Sequence, residues 1–237
     1  MTAMEVEQID YADGEVGLTG FLVRPQSIPR AAVLILPTIA NGNAAMIRRA
    51  QMLAAEGYVA MVADFYGVQV RDFDHARELA GPLRSTPETY RQRLRSGLAA
   101  LTAHESTQGL SVAAIGYCMG GQAAIELARD GADIVLAASF HGLLDTSAPA
   151  TPGTVKARIL VCHGDADPMV SRKQVLAFWE EMDAAAANWH FHSYSGVKHG
   201  FTDPASDARG MPAIGYNASA DRQSWAALME LLDEVLG

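Results

Sequence analysis

Short apolar runs recur along the chain, and their periodicity sets the expected architecture. Residues 31–36, 58–63, 111–115, 134–140 and 158–162 are apolar at nearly every position. That is the pattern of strands covered on both faces, and hence of a parallel sheet. Residues 18–24 alternate instead, which predicts a half-solvated strand pairing with residues 5–11, and residues 189–194 read as a further strand. Helical stretches fall between them, at 44–56, 87–104, 121–129, 172–187 and 221–236, with Gly57 and Gly131 where helix stops are expected. Alternating strands and helices imply an α/β fold, a mostly parallel sheet with helices on both faces. In such a sheet ligands bind outside the carboxyl ends of the strands. The chain has 237 residues, 49% of them hydrophobic, and no repeat or long linker divides it. A single domain over residues 1–237 is therefore expected.

Charge and cysteine usage narrow the function classes. The formal net charge is -9, which argues against nucleic acid or an anionic membrane as the main partner, since both demand basic patches. No segment approaches the ~20 apolar residues of a membrane helix. Glu5, Glu7 and Asp10 stand near the N-terminus without the apolar core of a signal peptide. Two cysteines, Cys118 and Cys162, make no disulfide framework. A reduced, cytoplasmic setting fits them. His190 and His192 lie two apart on one strand face, but no third ligand stands at motif spacing, so neither a metal nor another cofactor is expected. Six arginines between Arg71 and Arg95 read mainly as solvated helix faces.

The chemistry concentrates in Gly116-Tyr117-Cys118-Met119-Gly120-Gly121, between an apolar run and a helical stretch. A Gly-x-nucleophile-x-Gly sequence in that setting makes a sharp turn that presents its central side chain beside a helix N-terminus. Here that side chain is a cysteine, whose thiolate is a strong nucleophile. The competing reading is a buried cysteine that packs as a small hydrophobe. Asp165 and Asp167 follow the run 158–162, where a triad carboxylate belongs, and His199 follows 189–194. The order nucleophile, acid, histidine is that of the α/β-hydrolases. Asp165 has the alternative of a turn residue that caps its own backbone.

These residues carry a family resemblance. The elbow at Cys118, the spacing Gly164-x-x-Asp167-x-x-Val170 and His199-Gly200-Phe201 resemble the dienelactone hydrolases over most of the chain. The resemblance implies an α/β-hydrolase fold and a carboxylic ester or lactone hydrolase acting on a small molecule. Cys118 would be the nucleophile, Asp167 the acid and His199 the base. The backbone N–H of Met119, just after the nucleophile, would supply one oxyanion donor, and the resemblance implies Ile39 N–H for the second. Two positions depart from the family's lactonases. Thr38 stands where they carry a glutamate that interacts with the resting thiol. Asp203 stands where they carry an arginine that helps hold the substrate carboxylate. An ester or lactone other than dienelactone is therefore expected, with Thr38, His141, Phe201 and Asp203 as candidate substrate contacts. A silent hydrolase fold that binds a small ligand, and a thiol redox sensor using Cys118, stand as alternatives.

Overall fold

The computed structural model describes residues 4–236. The chain divides into two compact units between Ala114 and Ile115. In the first, β1 (Val6–Asp13) and β2 (Val16–Val23) form an antiparallel hairpin, and β2 pairs antiparallel with β4 (Tyr58–Val62). Between them in sequence lie β3 (Ala31–Leu36), parallel to β4, and α1 (Ala44–Ala55). Every residue of β3 and β4 is buried, whereas β1 alternates between exposed and half-buried positions. The uniformly apolar runs thus occupy covered positions and the alternating one lies against solvent. Full burial of each Val, Leu or Ile there stabilises by about 1.5–3 kcal/mol. Asn43 starts α1 by accepting from the amides of Ala45 and Met46 at 3.0 and 3.2 Å. The helix packs on β4, and α3 (Pro87–Ala103) packs on β1 and β3.

Before α3 comes α2 (Phe73–Leu83), which the sequence pattern did not predict. Gly81 and Pro82 argue against a helix there. Pro82 is tolerated near the C-terminal end, and Asp72 caps the start by accepting from His75 N–H at 2.8 Å.

Strand β5 (Val112–Tyr117) runs from the first unit into the second. The second unit continues with α4 (Met119–Arg129), β6 (Leu136–Phe140), β7 (Arg158–Gly164), α5 (Arg172–Ala184), β8 (Trp189–Tyr194) and α6 (Ala218–Leu236). Strands β6, β7 and β8 are parallel neighbours. A capping box of Ser171 and Gln174 opens α5. That helix stops three residues earlier than its pattern predicts. Ala186 takes a left-handed φ of 56°, and Ala187 N–H closes back on the Met182 carbonyl at 2.9 Å. No glycine marks this stop, so nothing in the residue pattern signals it.

A buried ion cluster pins the long connection between β6 and β7. The Arg129 guanidinium donates to Glu126 at 2.8 Å, to both Glu181 carboxylate oxygens at 2.8 and 2.7 Å, and to the Leu144 carbonyl at 2.8 Å. Glu181 also accepts from Ala150 N–H at 2.9 Å. Arg129→Met strips two carboxylates of their buried partner, so it should destabilise the fold by about 3–5 kcal/mol in urea unfolding. A loss below about 1 kcal/mol would show that the connection holds without this clamp.

Candidate active site

Only Cys118 separates β5 from α4, and its backbone is strained, with φ 56° and ψ -117°. A non-glycine residue there sits outside the usual regions. The turn closes because Gly116 has no side chain: a Cβ there would fall on the Gly120 carbonyl. The thiol is thereby carried to the N-terminus of α4, where Met119 contributes the first helical N–H and the dipole favours negative charge. Cys118 is half-exposed, whereas Cys162 in β7 is fully buried. Burial pushes the Cys162 thiol pKa up to about 12.

Two strand-end loops bring the acid and the histidine together. Gly164 ends β7 against the carbonyls of Val197 and Lys198, an approach that any side chain would block. Ala166 N–H donates to the Val197 carbonyl at 2.9 Å, locking the acid loop to the histidine loop. His199 Nδ1 then lies 2.7 Å from Asp167 Oδ2, and the other oxygen, Oδ1, accepts from Met169 N–H at 2.8 Å. Both residues are buried. Asp165 points elsewhere, with its two oxygens on Arg172 at 3.0 and 2.7 Å. That guanidinium holds the Asp165 pKa below its ordinary value.

The His199 loop is fastened on its other side by residues 213–217. His199 N–H donates to the Ala213 carbonyl, Gly215 N–H returns to the His199 carbonyl, and Asn217 N–H reaches the Phe201 carbonyl, at 3.2, 3.0 and 3.1 Å. Nε2 of His199 makes no hydrogen bond by geometry. The Cys118 thiol nonetheless acts on the ring electrostatically. Burial alone would lower the imidazole pKa, but Asp167 and Cys118 together raise it to about 10. Folding therefore retains a proton that the unfolded chain releases near pH 6.5. The associated stability is full below 6.5 and is lost as pH rises toward 10.

The other sequence candidates take different places. Both ring nitrogens of His141 are engaged inside the protein, and Phe201 is fully buried between His141 and Tyr194, with ring centroids 5.2 and 5.6 Å away. Asp203 caps the turn Pro204–Arg209 by accepting from Ala205 N–H at 3.0 Å, and it pairs with Arg209 at 2.6 Å. Its field is that of an ion pair rather than of a lone carboxylate. In the first unit, Thr38 Oγ1 accepts from Ala40 N–H at 3.3 Å, and the Ile39 carbonyl accepts from Tyr66 Oη at 3.1 Å. His190 Nε2 sits 3.1 Å from the Arg158 guanidinium. Among the described residues, no group of three or more His, Cys, Asp or Glu is arranged to hold a metal ion, and no helix is long and apolar enough to cross a membrane. Sequence reasoning missed Thr202, buried against His141; a threonine three places after the histidine carries no spacing signal.

Comparison with known proteins gives consistent relatives. Residues 18–236 match the dienelactone hydrolase family. A solved structure described as a dienelactone hydrolase-like promiscuous phosphotriesterase, from metagenomic libraries, superposes with a TM-score of 0.93 at 33% identity, covering 99% of this chain and 100% of that one. An uncharacterized protein of Caenorhabditis elegans is 38% identical over 147 residues, 60% of this chain and 91% of its own. A Bradyrhizobium protein named a probable 2-oxo-3-(5-oxofuran-2-ylidene)propanoate lactonase is 27% identical over 242 residues, 94% of this chain and 93% of its own. The fold is the α/β-hydrolase fold, a mostly parallel sheet with helices packed on it.

Proposed function

The chain belongs to the dienelactone hydrolase family, and on that premise we propose that this ester- or lactone-type hydrolase works through a Cys118–His199–Asp167 triad. One observation carries the reading. The buried Asp167 carboxylate holds His199 Nδ1 at 2.7 Å while the Cys118 thiol acts on the same ring. The carboxylate fixes the tautomer that leaves Nε2 facing the reaction.

The Cys118 thiolate attacks the carbonyl carbon, and the carbonyl π electrons move to oxygen. Met119 N–H, at the start of α4, meets that oxyanion and contributes roughly 3–4 kcal/mol to the transition state. Collapse expels the alkoxide, which takes a proton from His199, and leaves an acyl-thioester. His199 then deprotonates water, which attacks the thioester and restores the thiolate. Alkoxides leave more readily than unactivated amines, so esters and lactones are the natural substrates. The Asp203–Arg209 pair supplies no lone cation for a substrate carboxylate, which favours neutral substrates. A reduced compartment such as the cytoplasm would keep the thiol competent. A second reading, hydrolysis of neutral phosphotriesters at the same thiol, draws on the likeness to the metagenomic phosphotriesterase.

Limited iodoacetamide should label half-exposed Cys118 well before buried Cys162. Esterase activity should fall in step with that labelling. Activity that persists after Cys118 is fully alkylated would rule out the mechanism.

A further inference from the structure

His141 is the unassigned group closest to this chemistry, and its geometry is unusual. It follows β6 with a left-handed φ of 43°, a costly conformation for a residue with a Cβ. Its amide donates to the Cys162 carbonyl at 2.9 Å, which fixes the backbone as a continuation of the β6–β7 pairing. The ring is 2% exposed. Nδ1 lies 3.1 Å from the amide nitrogen of Cys118, which also donates to the Phe140 carbonyl at 3.0 Å. Nε2 lies 2.9 Å from Thr202 Oγ1. The ring meets the His199 ring edge-on, with centroids 5.1 Å apart.

These contacts settle the ring's protonation by elimination. An amide N–H only donates, so Nδ1 must accept and carry no proton. The proton of a neutral ring then sits on Nε2 and is donated to Thr202. Thr202 is three residues from His199, and the amide that Nδ1 accepts from belongs to the nucleophile itself. The ring is thus a strut between the elbow and the histidine loop.

We infer that His141 is a positioning residue: its neutral Nε2–H ring, braced on Thr202, holds the Cys118 amide and sets the thiol against His199. The inference rests on the triad reading above. It differs from the expectation of a substrate contact, because both ring nitrogens are already used inside the protein. The cost of the strained backbone is offset by a hydrogen-bond acceptor delivered behind the nucleophile. A rigid ring in contact with His199 also limits how far the imidazole can tilt away from the thiol.

The variants separate the two bonds. In His141→Asn, the amide oxygen Oδ1 would overlay the histidine Nδ1 and keep an acceptor for Cys118 N–H, and asparagine tolerates left-handed φ. His141→Ala should lower kcat about tenfold, with KM within about twofold, as expected for one lost hydrogen bond that acts on the reacting group. His141→Asn should recover most of that loss. Thr202→Val, which keeps the residue's shape, should slow Cys118 alkylation by iodoacetamide several-fold. On the unmodified protein without substrate, long-range 1H–15N spectra should show an unprotonated Nδ1 and a protonated Nε2 for His141. A protonated Nδ1 would overturn the inference, even if the alanine variant does not fold. So would an unchanged kcat in His141→Ala, or a His141→Asn variant no better than His141→Ala. Failure of the triad reading is distinct: esterase activity would then survive Cys118 alkylation whatever the state of His141.

Discussion

Cys118→Ala should lower kcat for a short p-nitrophenyl ester by at least about 10^4-fold, leaving only what oriented donors contribute without a nucleophile. The expectation follows from the elbow, which places this thiol at the start of α4 with the His199 ring beside it. A second consequence needs no substrate. Cys118 is one of the groups that raise the His199 pKa, against a burial cost that lowers it. Removing the sulfur leaves the burial cost in place, so the imidazole pKa in Cys118→Ala should fall from about 10, as followed by NMR titration. A folded Cys118→Ala protein with kcat within about tenfold of wild type would mean that another group attacks the ester.

Asp167→Asn should cost about 10^4-fold in kcat, because the amide no longer selects the tautomer with Nε2 free. Asp165→Asn should stay within about threefold, since exposed ion pairs contribute little. The two carboxylates are two residues apart but differently committed. Asp167 is buried and bonded to His199 Nδ1, while Asp165 faces Arg172 in an ion pair at the surface. Steady-state kinetics on both variants decides the assignment: an Asp165→Asn loss exceeding that of Asp167→Asn would reverse it.

The chain's pattern carried most of the architecture because its parallel strands are covered on both faces. Residues 31–36 and 189–194 begin and end as β3 and β8 do. Where the pattern misled, local backbone geometry was the reason. The helix at 172–187 runs on in sequence because an alanine, Ala186, takes the left-handed stop that glycine usually marks. The segment holding α2 was hidden by Pro82, although Asp72 offered a cap. At the site, sequence spacing singled out Cys118, His199 and two carboxylates, and the resemblance of the Gly164-x-x-Asp167-x-x-Val170 run favoured Asp167 as the one that meets the ring. That meeting depends on Gly164 packing under Val197 and Lys198, a contact between segments far apart in the chain. His141 followed a strand, Phe201 stood in the His199 loop, and Asp203 stood where the resemblance implies an arginine, so all three were candidate substrate contacts. Side-chain direction decides such cases, and it turned the first two inward and paired the third with Arg209.

In the proposed mechanism the substrate's acyl group is carried on one sulfur. Rapid acid quench of the protein with excess p-nitrophenyl butyrate, followed by peptide mass analysis, tests this directly. A single butyryl group should appear on the peptide bearing Cys118 and be absent from Cys118→Ala. Turnover with the acyl group on any other residue, or a pre-steady-state burst with Cys118 unmodified, would contradict it.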